Sequence, residues 1–239
     1  MEINSNNNIP LYQQYAEKFR QMILNKEISV GERFPAEIDL AEKYGVARIT
    51  IRKAINELVQ DDLLVRKRGK GTFVAEPKIE RKLVNVASFT ERMQSRGIRA
   101  GARCIDVKVI NADDKLSKKL RIPKKSEVVE LVRLRLSNNV PVALERSYLP
   151  SEAYPGIEKE NLEDNSLYQI LESKYQTRPG HSSKTLELTR ATSLEAKLLK
   201  TSVGSPLFLM ISTVFTEENQ VMEYVEILFL GDRFRFQVY

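Results

Sequence analysis

The apolar positions along the first 75 residues fall at helical spacing in three stretches and at strand spacing in two, and each stretch predicts an element. Leu11, Tyr15, Phe19, Met22 and Ile23 recur at helical spacing, with Pro10 suited to a first helical position, so a helix runs from about Pro10 to Lys26. Val30 to Pro35 reads as a turn. A short helix follows from Ala36 to Tyr44, burying Ile38, Leu40 and Ala41 and stopping at Gly45. A third helix runs from about Ala47 to Gln60 on the stripe Ile51, Ala54, Ile55 and Leu58. Leu63–Val65 and Thr72–Val74 then read as two strands around the basic, glycine-containing tip Arg66-Lys67-Arg68-Gly69-Lys70-Gly71. Two short helices across a tight turn followed by a hairpin are a helix-turn-helix with a wing.

Residues 76–87 read as a linker, and the pattern from Ser88 onward is mixed. Helical periods cover 89–96, 113–120, 167–175 and 193–200. Strand-like alternation covers 103–110, 127–136, 140–149, 183–190, 206–216, 221–230 and 233–238. Asn138-Asn139 and Glu218-Asn219-Gln220 mark hairpin turns, so a largely antiparallel sheet with packed helices is expected. The division is 1–75, 76–87 and 88–239, in an α+β chain.

Charge sharpens the reading of the first part. Residues 1–47 carry five Lys/Arg and seven Asp/Glu, whereas residues 48–70 carry seven Lys/Arg and only three acids. Basic charge packed into one window is the footprint of a phosphate-backbone contact. Arg48, Thr50 and Arg52 lie at the start of the third helix, where a recognition helix presents side chains to the major groove. Gly69 and Gly71 let the wing backbone approach DNA, and Arg68 and Lys70 supply charge there. The plain alternative is a solvated basic helix and hairpin; the order and spacing of the features favour DNA.

The second part carries the makings of an anion site. Arg133 and Arg135 are two apart in a strand and point to one face, where their guanidinium groups repel unless an anion or carboxylate lies between them. Ser88-Phe89-Thr90-Glu91, Ser166-Leu167-Tyr168-Gln169 and Thr192-Ser193-Leu194-Glu195 read as helix starts, whose free N–H groups suit phosphate. Glu145 and Glu223, in strands after hairpin turns, are placed to accept hydrogen bonds from sugar hydroxyls. Surface ion pairs and ordinary caps are the alternative for all of these.

Other chemistries are narrowed by composition. One Cys (Cys104) and one His (His181) cannot form an internal disulfide or a His/Cys zinc cluster, and Cys104 reads as a packed, inert thiol. No cofactor is expected. No apolar run approaches the ~20 residues of a membrane span, and the polar start from Met1 to Pro10 is unlike a signal peptide, so a cytoplasmic protein without a membrane partner is expected.

The runs Pro10-Leu11-Tyr12, Gly31-Glu32-Arg33-Phe34-Pro35-Ala36-Glu37, Gly45-Val46-Ala47-Arg48-Ile49-Thr50-Ile51-Arg52-Lys53-Ala54 and Gly69-Lys70-Gly71-Thr72-Phe73-Val74 resemble the GntR family of regulators. The resemblance implies a major-groove position for Arg48, Thr50 and Arg52 and a minor-groove wing around Gly71. Ala36 and Ala47 depart from it, since the family usually has Ser at both helix starts; losing such a cap costs ~1 kcal/mol. Arg133-Leu134-Arg135, Val140 to Glu145, Tyr148-Leu149-Pro150, Ser166-Leu167-Tyr168, Tyr224-Val225-Glu226 and Gly231-Asp232-Arg233 resemble the UTRA effector domain of HutC-type members, which has a chorismate-lyase-like fold and usually dimerises. Ser88 to Gly97 is similar to the matching stretch of the N-acetylglucosamine-responsive repressors. That resemblance implies a phosphate held by Thr90, Arg133, Arg135 and Ser166, and a sugar lined by Phe89, Glu145, Tyr168 and Glu223.

The expected function is a transcription regulator, most simply a dimeric repressor on a palindromic operator, controlled by glucosamine-6-phosphate or its N-acetyl form. Two alternatives stay open. One is the same regulator answering to an amino acid, a phosphonate or another sugar phosphate. The other is a chorismate-lyase-like enzyme binding a carboxylated substrate through Arg133 and Arg135, against which the DNA-binding head argues.

Overall fold

The computed structural model describes residues 9–67, 69–76, 78–83, 88–95 and 97–237, and the chain divides between Lys78 and Ile79 into two compact units.

In the first unit, α1 (Leu11–Leu24), α2 (Glu37–Tyr44) and α3 (Arg48–Gln60) precede the hairpin of β1 (Leu64–Lys67) and β2 (Gly71–Val74), paired from Leu64↔Val74 to Lys67↔Gly71. Each helix contributes one stripe to a shared core of Tyr15, Phe19, Phe34, Leu40, Ile51, Ile55 and Leu58, and Leu64 closes it from the hairpin. Phe19 is fully buried and meets the edge of Phe34 with ring centroids 5.5 Å apart. α2 stops where Gly45 turns left-handed (φ 65°), a conformation that costs glycine little. Ile38 is a correction. It is 50% exposed rather than buried, because two residues along a helix rotate the side chain about 200°, so Ile38 and Leu40 cannot share a face.

Neither α2 nor α3 receives a side-chain cap from the alanine before it. Ala47 already has the extended backbone of a cap (φ −61°, ψ 136°). Ala47→Ser is therefore expected to stabilise the start of α3 by about 1 kcal/mol, seen as roughly fivefold slower amide exchange in its first turn. Unchanged exchange there would show that the hydroxyl does not reach the free N–H groups.

The second unit is built on an antiparallel sheet in the order β4-β5-β6-β9-β8-β7, from β4 (Ala100–Asn111), β5 (Glu127–Ser137), β6 (Val140–Pro150), β7 (Pro179–Arg190), β8 (Pro206–Thr216) and β9 (Val221–Leu230). Asn138 and Asn139 join β5 to β6 with both residues at positive φ, as a two-residue hairpin requires. The helices are α4 (Phe89–Gln94), α5 (Asp114–Leu120), α6 (Leu167–Tyr175) and α7 (Ser193–Leu199). Val132 and Leu134 of β5 pack with Ala196 and Leu199 of α7, while Leu131 packs in a separate cluster with Phe89, Met93 and Leu171 of α4 and α6. β5 and β6 are thus buried on both faces, and Arg133 and Arg135 share the α4/α6 face.

Residues 79–82, inside the stretch read as a linker, form β3 (Ile79–Lys82), which pairs in parallel with β10 (Phe234–Gln237). Ile79 and Arg81 alternate inward. A four-residue strand with arginine at a buried position carries almost no hydrophobic signal, and its partner lies at the other end of the chain.

Candidate nucleic-acid surface and ligand pocket

On the first unit, Arg48 and Arg52 of α3 and Arg66 of β1 converge on one carboxylate. Glu37, at the start of α2, accepts from Arg48 Nε at 3.3 Å and Arg52 Nε at 3.0 Å, and Arg66 Nη2 lies 3.5 Å away. All three arginines stay about half exposed. One acid thus orients three cations without neutralising them. Thr50 is half-buried, and the neighbouring Ile49 is exposed. Gly69 and Lys70 form the turn of the hairpin, while Gly71 sits at φ 111°, where a Cβ would also stand 3.1 Å from Arg33 Nε. Arg68 lies outside the described residues. The roles of Glu37, Arg33 and Arg66 were missed in the sequence, since nothing local says that Glu37 reaches across to α3 and β1.

On the second unit, strand pairing sets out the pocket floor in rows. Arg133 of β5 stands beside Glu145 of β6, then Ile227 of β9, Met210 of β8 and Leu186 of β7. One row away run Leu131, Ser147, Val225, Ser212 and Lys184. Side chains two apart on a strand share a face, so Arg133, Arg135, Glu145, Glu223, Ser212 and Lys184 all project to one side. There Arg81, Phe89, Arg92, Ser166 and Tyr168 complete the lining. The space open to water is about 40 Å³.

The structure separates the two strand arginines. Arg133 donates from Nε and Nη2 to Glu145 Oε1 at 3.1 and 2.5 Å, and from Nη1 to the Asn165 carbonyl at 3.3 Å. The carboxylate between the guanidinium groups is therefore Glu145. Arg135 is 2% exposed; its Nη2 lies 3.4 Å from Thr90 Oγ1, its Cζ sits over the Phe89 ring 4.5 Å from the centroid, and its Nε and Nη1 have no hydrogen-bond partner. Thr90 meets the site through Arg135 and is not itself among the lining residues. Ser166 caps α6, accepting from Gln169 N, and Ser88 caps α4 in a full capping box with Glu91. Thr192 and Glu195 form the same box on α7, outside the pocket.

Five cationic side chains face two carboxyls here. Burial pulls the Arg135 guanidinium down to about 10, although Glu145 opposes the shift. Burial and then the nearby Arg92 pull Arg81 down to about 9. Burial pushes Glu145 up, but Arg133 and Arg135 outweigh it and hold the carboxyl below its usual range. Glu223 goes the other way, pushed up to about 7 by burial and by Glu145; Tyr168 Oη donates to its Oε2 at 2.9 Å. The sequence missed Arg81 and Lys184, which enter the pocket from β3 and from the edge strand β7.

Cys104 and His181 sit on β4 and β7, the opposite edges of the sheet, so they cannot form a nucleophile–base pair. His181 stacks on Phe215 at 4.7 Å. Among the described residues, no group of three or more His, Cys, Asp or Glu is placed for a metal, and no helix is long and apolar enough to cross a membrane.

A winged helix-turn-helix joined to a sheet domain with an enclosed cationic pocket defines a ligand-responsive transcription regulator. Residues 11–74 match the gntR family of bacterial regulatory proteins and residues 95–235 match the UTRA domain. The chain belongs to the GntR family, in its UTRA-containing branch. It is 34% identical over 240 residues to the HTH-type transcriptional repressor NagR of Bacillus subtilis (strain 168), covering 100% of this chain and 98% of that one. It is 29% identical to the mannosyl-D-glycerate transport/metabolism system repressor MngR of Escherichia coli (strain K12), covering 95% and 94%. The crystal structure of PhnF from Mycobacterium smegmatis superposes with a TM-score of 0.71 at 30% identity, covering 94% and 97%. These relatives are regulators, and the chain is a DNA-binding transcription regulator rather than an enzyme.

Proposed function

We propose that the chain is a cytoplasmic, homodimeric repressor that leaves its operator when a phosphorylated sugar enters the pocket. The observation that carries this is Arg135, a buried guanidinium with two N–H groups unpartnered on the pocket side of the sheet. A buried donor left unmade is costly, and a phosphate oxygen satisfies it with charge-assisted bonds. In this reading the phosphate sits among Arg135, Arg133, Thr90 and Ser166, and the sugar lies along Phe89, Glu145, Tyr168 and Glu223. Glucosamine-6-phosphate and its N-acetyl form are the first candidates, through the resemblance of the Ser88 to Gly97 stretch to the N-acetylglucosamine-responsive repressors. The pocket lies under α4 and α6, elements that an effector can move when it binds. A switch needs the effector to bind one of two states more tightly.

On the DNA side, Arg48, Thr50 and Arg52 read the major groove and Gly69, Lys70 and Gly71 form the wing, with the charge of Arg68 adding to the attraction for the phosphate backbone. A two-fold dimer implies a palindromic operator with half-sites about one turn apart. Duplexes selected from a random pool should show that symmetry, and fluorescence anisotropy should show release on adding either sugar phosphate but not the free sugars. Arg52→Ala is expected to weaken the selected duplex by about 1–3 kcal/mol and relax specificity at one position. Release by the unphosphorylated sugars, or by neither form, would overturn the effector assignment. The same regulator answering to a phosphonate or an amino acid is the second reading, because the cationic lining suits any anion.

A further inference from the structure

We propose that Ile49 packs on a thymine methyl group in the major groove and so helps to set which operator the protein selects. The proposal rests on α3 being the recognition helix. It adds a contact that neither charge nor hydrogen bonding supplies: each half-site carries thymine at a fixed position beside the bases reached by Arg48 and Arg52.

Helix geometry sets the direction of this side chain. Successive residues of a helix turn by about 100°. Ile51, Ala54, Ile55 and Leu58 are buried against the core, which puts Ile49 on the opposite side of α3. It is the second residue of the helix, after Arg48, and is 56% exposed. Arg52 and Lys53 follow it by three and four residues, so both are its neighbours on the helix surface, and both are exposed. Glu37 holds Arg48 and Arg52 beside it. Thr50 also carries a methyl group, but it is half-buried on the flank of the helix. The apolar surface aimed outward at the start of α3 is that of Ile49.

A single isoleucine on a protein surface is ordinary, but this position gives it a partner. Isoleucine is a poorer helix former than alanine, lysine or glutamate, and pointing away from the core it gains no burial in return. What it offers is stiffness, because branching at Cβ restricts χ1 and holds its methyl groups in one place. In the major groove, thymine alone of the four bases presents a methyl group, at C5 beside its O4 acceptor. Two apolar groups that meet there both shed water. The flanking cations cannot make that distinction, since they bond to phosphates and to the acceptors of guanine. Ile38 is comparably exposed at 50%. It belongs to α2, however, the helix that crosses the backbone in this motif, whereas the start of α3 enters the groove.

Uracil pairs as thymine does but lacks the methyl group, which isolates this one contact. In the duplex selected by the full-length protein, each thymine is replaced singly by deoxyuridine, and anisotropy gives the affinities of wild type, Ile49→Ala and Arg52→Ala. Wild type should lose roughly fourfold at one thymine of a half-site, the effect of one buried methyl group. Ile49→Ala should bind the parent duplex about as weakly as wild type binds that uracil duplex, and should no longer distinguish the two bases there. Arg52→Ala should weaken every duplex. Alanine is the better helix former at an exposed site, so the Ile49 variant keeps its fold. The thymine contact is overturned if the half-sites contain no thymine, if wild type tolerates uracil at every position, or if Ile49→Ala retains the uracil penalty. In each of those cases a weakened Arg52→Ala leaves α3 in the major groove. If Ile49→Ala and Arg52→Ala both bind as wild type does, the groove reading of α3 falls and the thymine contact falls with it.

Discussion

Arg135→Met should disconnect DNA binding from any phosphorylated effector while leaving the DNA affinity itself at the wild-type level. The unpartnered Nε and Nη1 are the groups a phosphate would bond, and two charge-assisted hydrogen bonds at about 1.5–3 kcal/mol each correspond to a loss of effector affinity of about 100-fold or more. The ligand-free variant should also unfold no earlier than wild type, because Arg135 is buried with a long ion pair (Nε to Glu145 Oε2, 3.9 Å), a weak 3.4 Å contact with Thr90 Oγ1 and the Phe89 ring in return, and replacing a poorly compensated buried charge by an apolar chain is often neutral or stabilising. Arg133 is the wrong residue for this test. Its removal strands Glu145, an uncompensated buried carboxylate that costs about 3–5 kcal/mol, so a lost response would report damage to the fold. Thermal unfolding with and without glucosamine-6-phosphate, beside anisotropy on operator DNA, checks both halves. A variant that still releases DNA at the wild-type effector concentration would remove Arg135 from the site.

Glu223→Gln is expected to stabilise the protein in mildly alkaline solution and to do little in acid. The carboxyl is 2% exposed and its pKa is raised from 4.5 to about 7 by burial and by Glu145. A raised native pKa means that the folded state holds the proton more tightly than the unfolded chain. The stability this contributes is complete below about pH 4.5, declines as pH rises, and is gone above about pH 7. By pH 8 the ionised group costs roughly 3 kcal/mol relative to a neutral one. An amide cannot ionise and still accepts the Tyr168 hydroxyl proton, so the variant should melt higher than wild type at pH 8, with the gap closing towards pH 5. Parallel melting curves across that range would mean that Glu223 titrates normally. The same charge balance predicts that an anionic effector draws a proton onto Glu223, because each new negative charge in the pocket favours the neutral carboxyl.

Much of the DNA-binding unit was legible because its signals are local. The stripe through Ile51, Ala54, Ile55 and Leu58, the stop at Gly45 and the glycines of the wing each act within a few residues. Ile38 failed because an eight-residue helix offers too few turns to separate its two faces by eye. In the second unit, the two-residue spacing of Arg133 and Arg135 correctly put both on one face, and Ser88, Ser166 and Thr192 all cap helices as read. Thr192 shows the limit of that reading, since a cap motif says nothing about where the helix points.

Taken alone, the sequence determined most of the elements, most of their faces and the cationic character of both surfaces, since periodicity, capping and charge are properties of neighbouring residues. Only the tertiary structure decided which charges meet. Glu145 belongs to Arg133 because β5 pairs with β6 in one register, Lys184 and Ser212 join the pocket because β9 and β8 stand between β6 and β7, and Arg81 enters because β3 pairs with a strand from the far end of the chain. The first is a hairpin pairing whose turn the sequence marks but whose register it does not, and the other two bring together segments whose separation along the chain leaves no trace in local pattern.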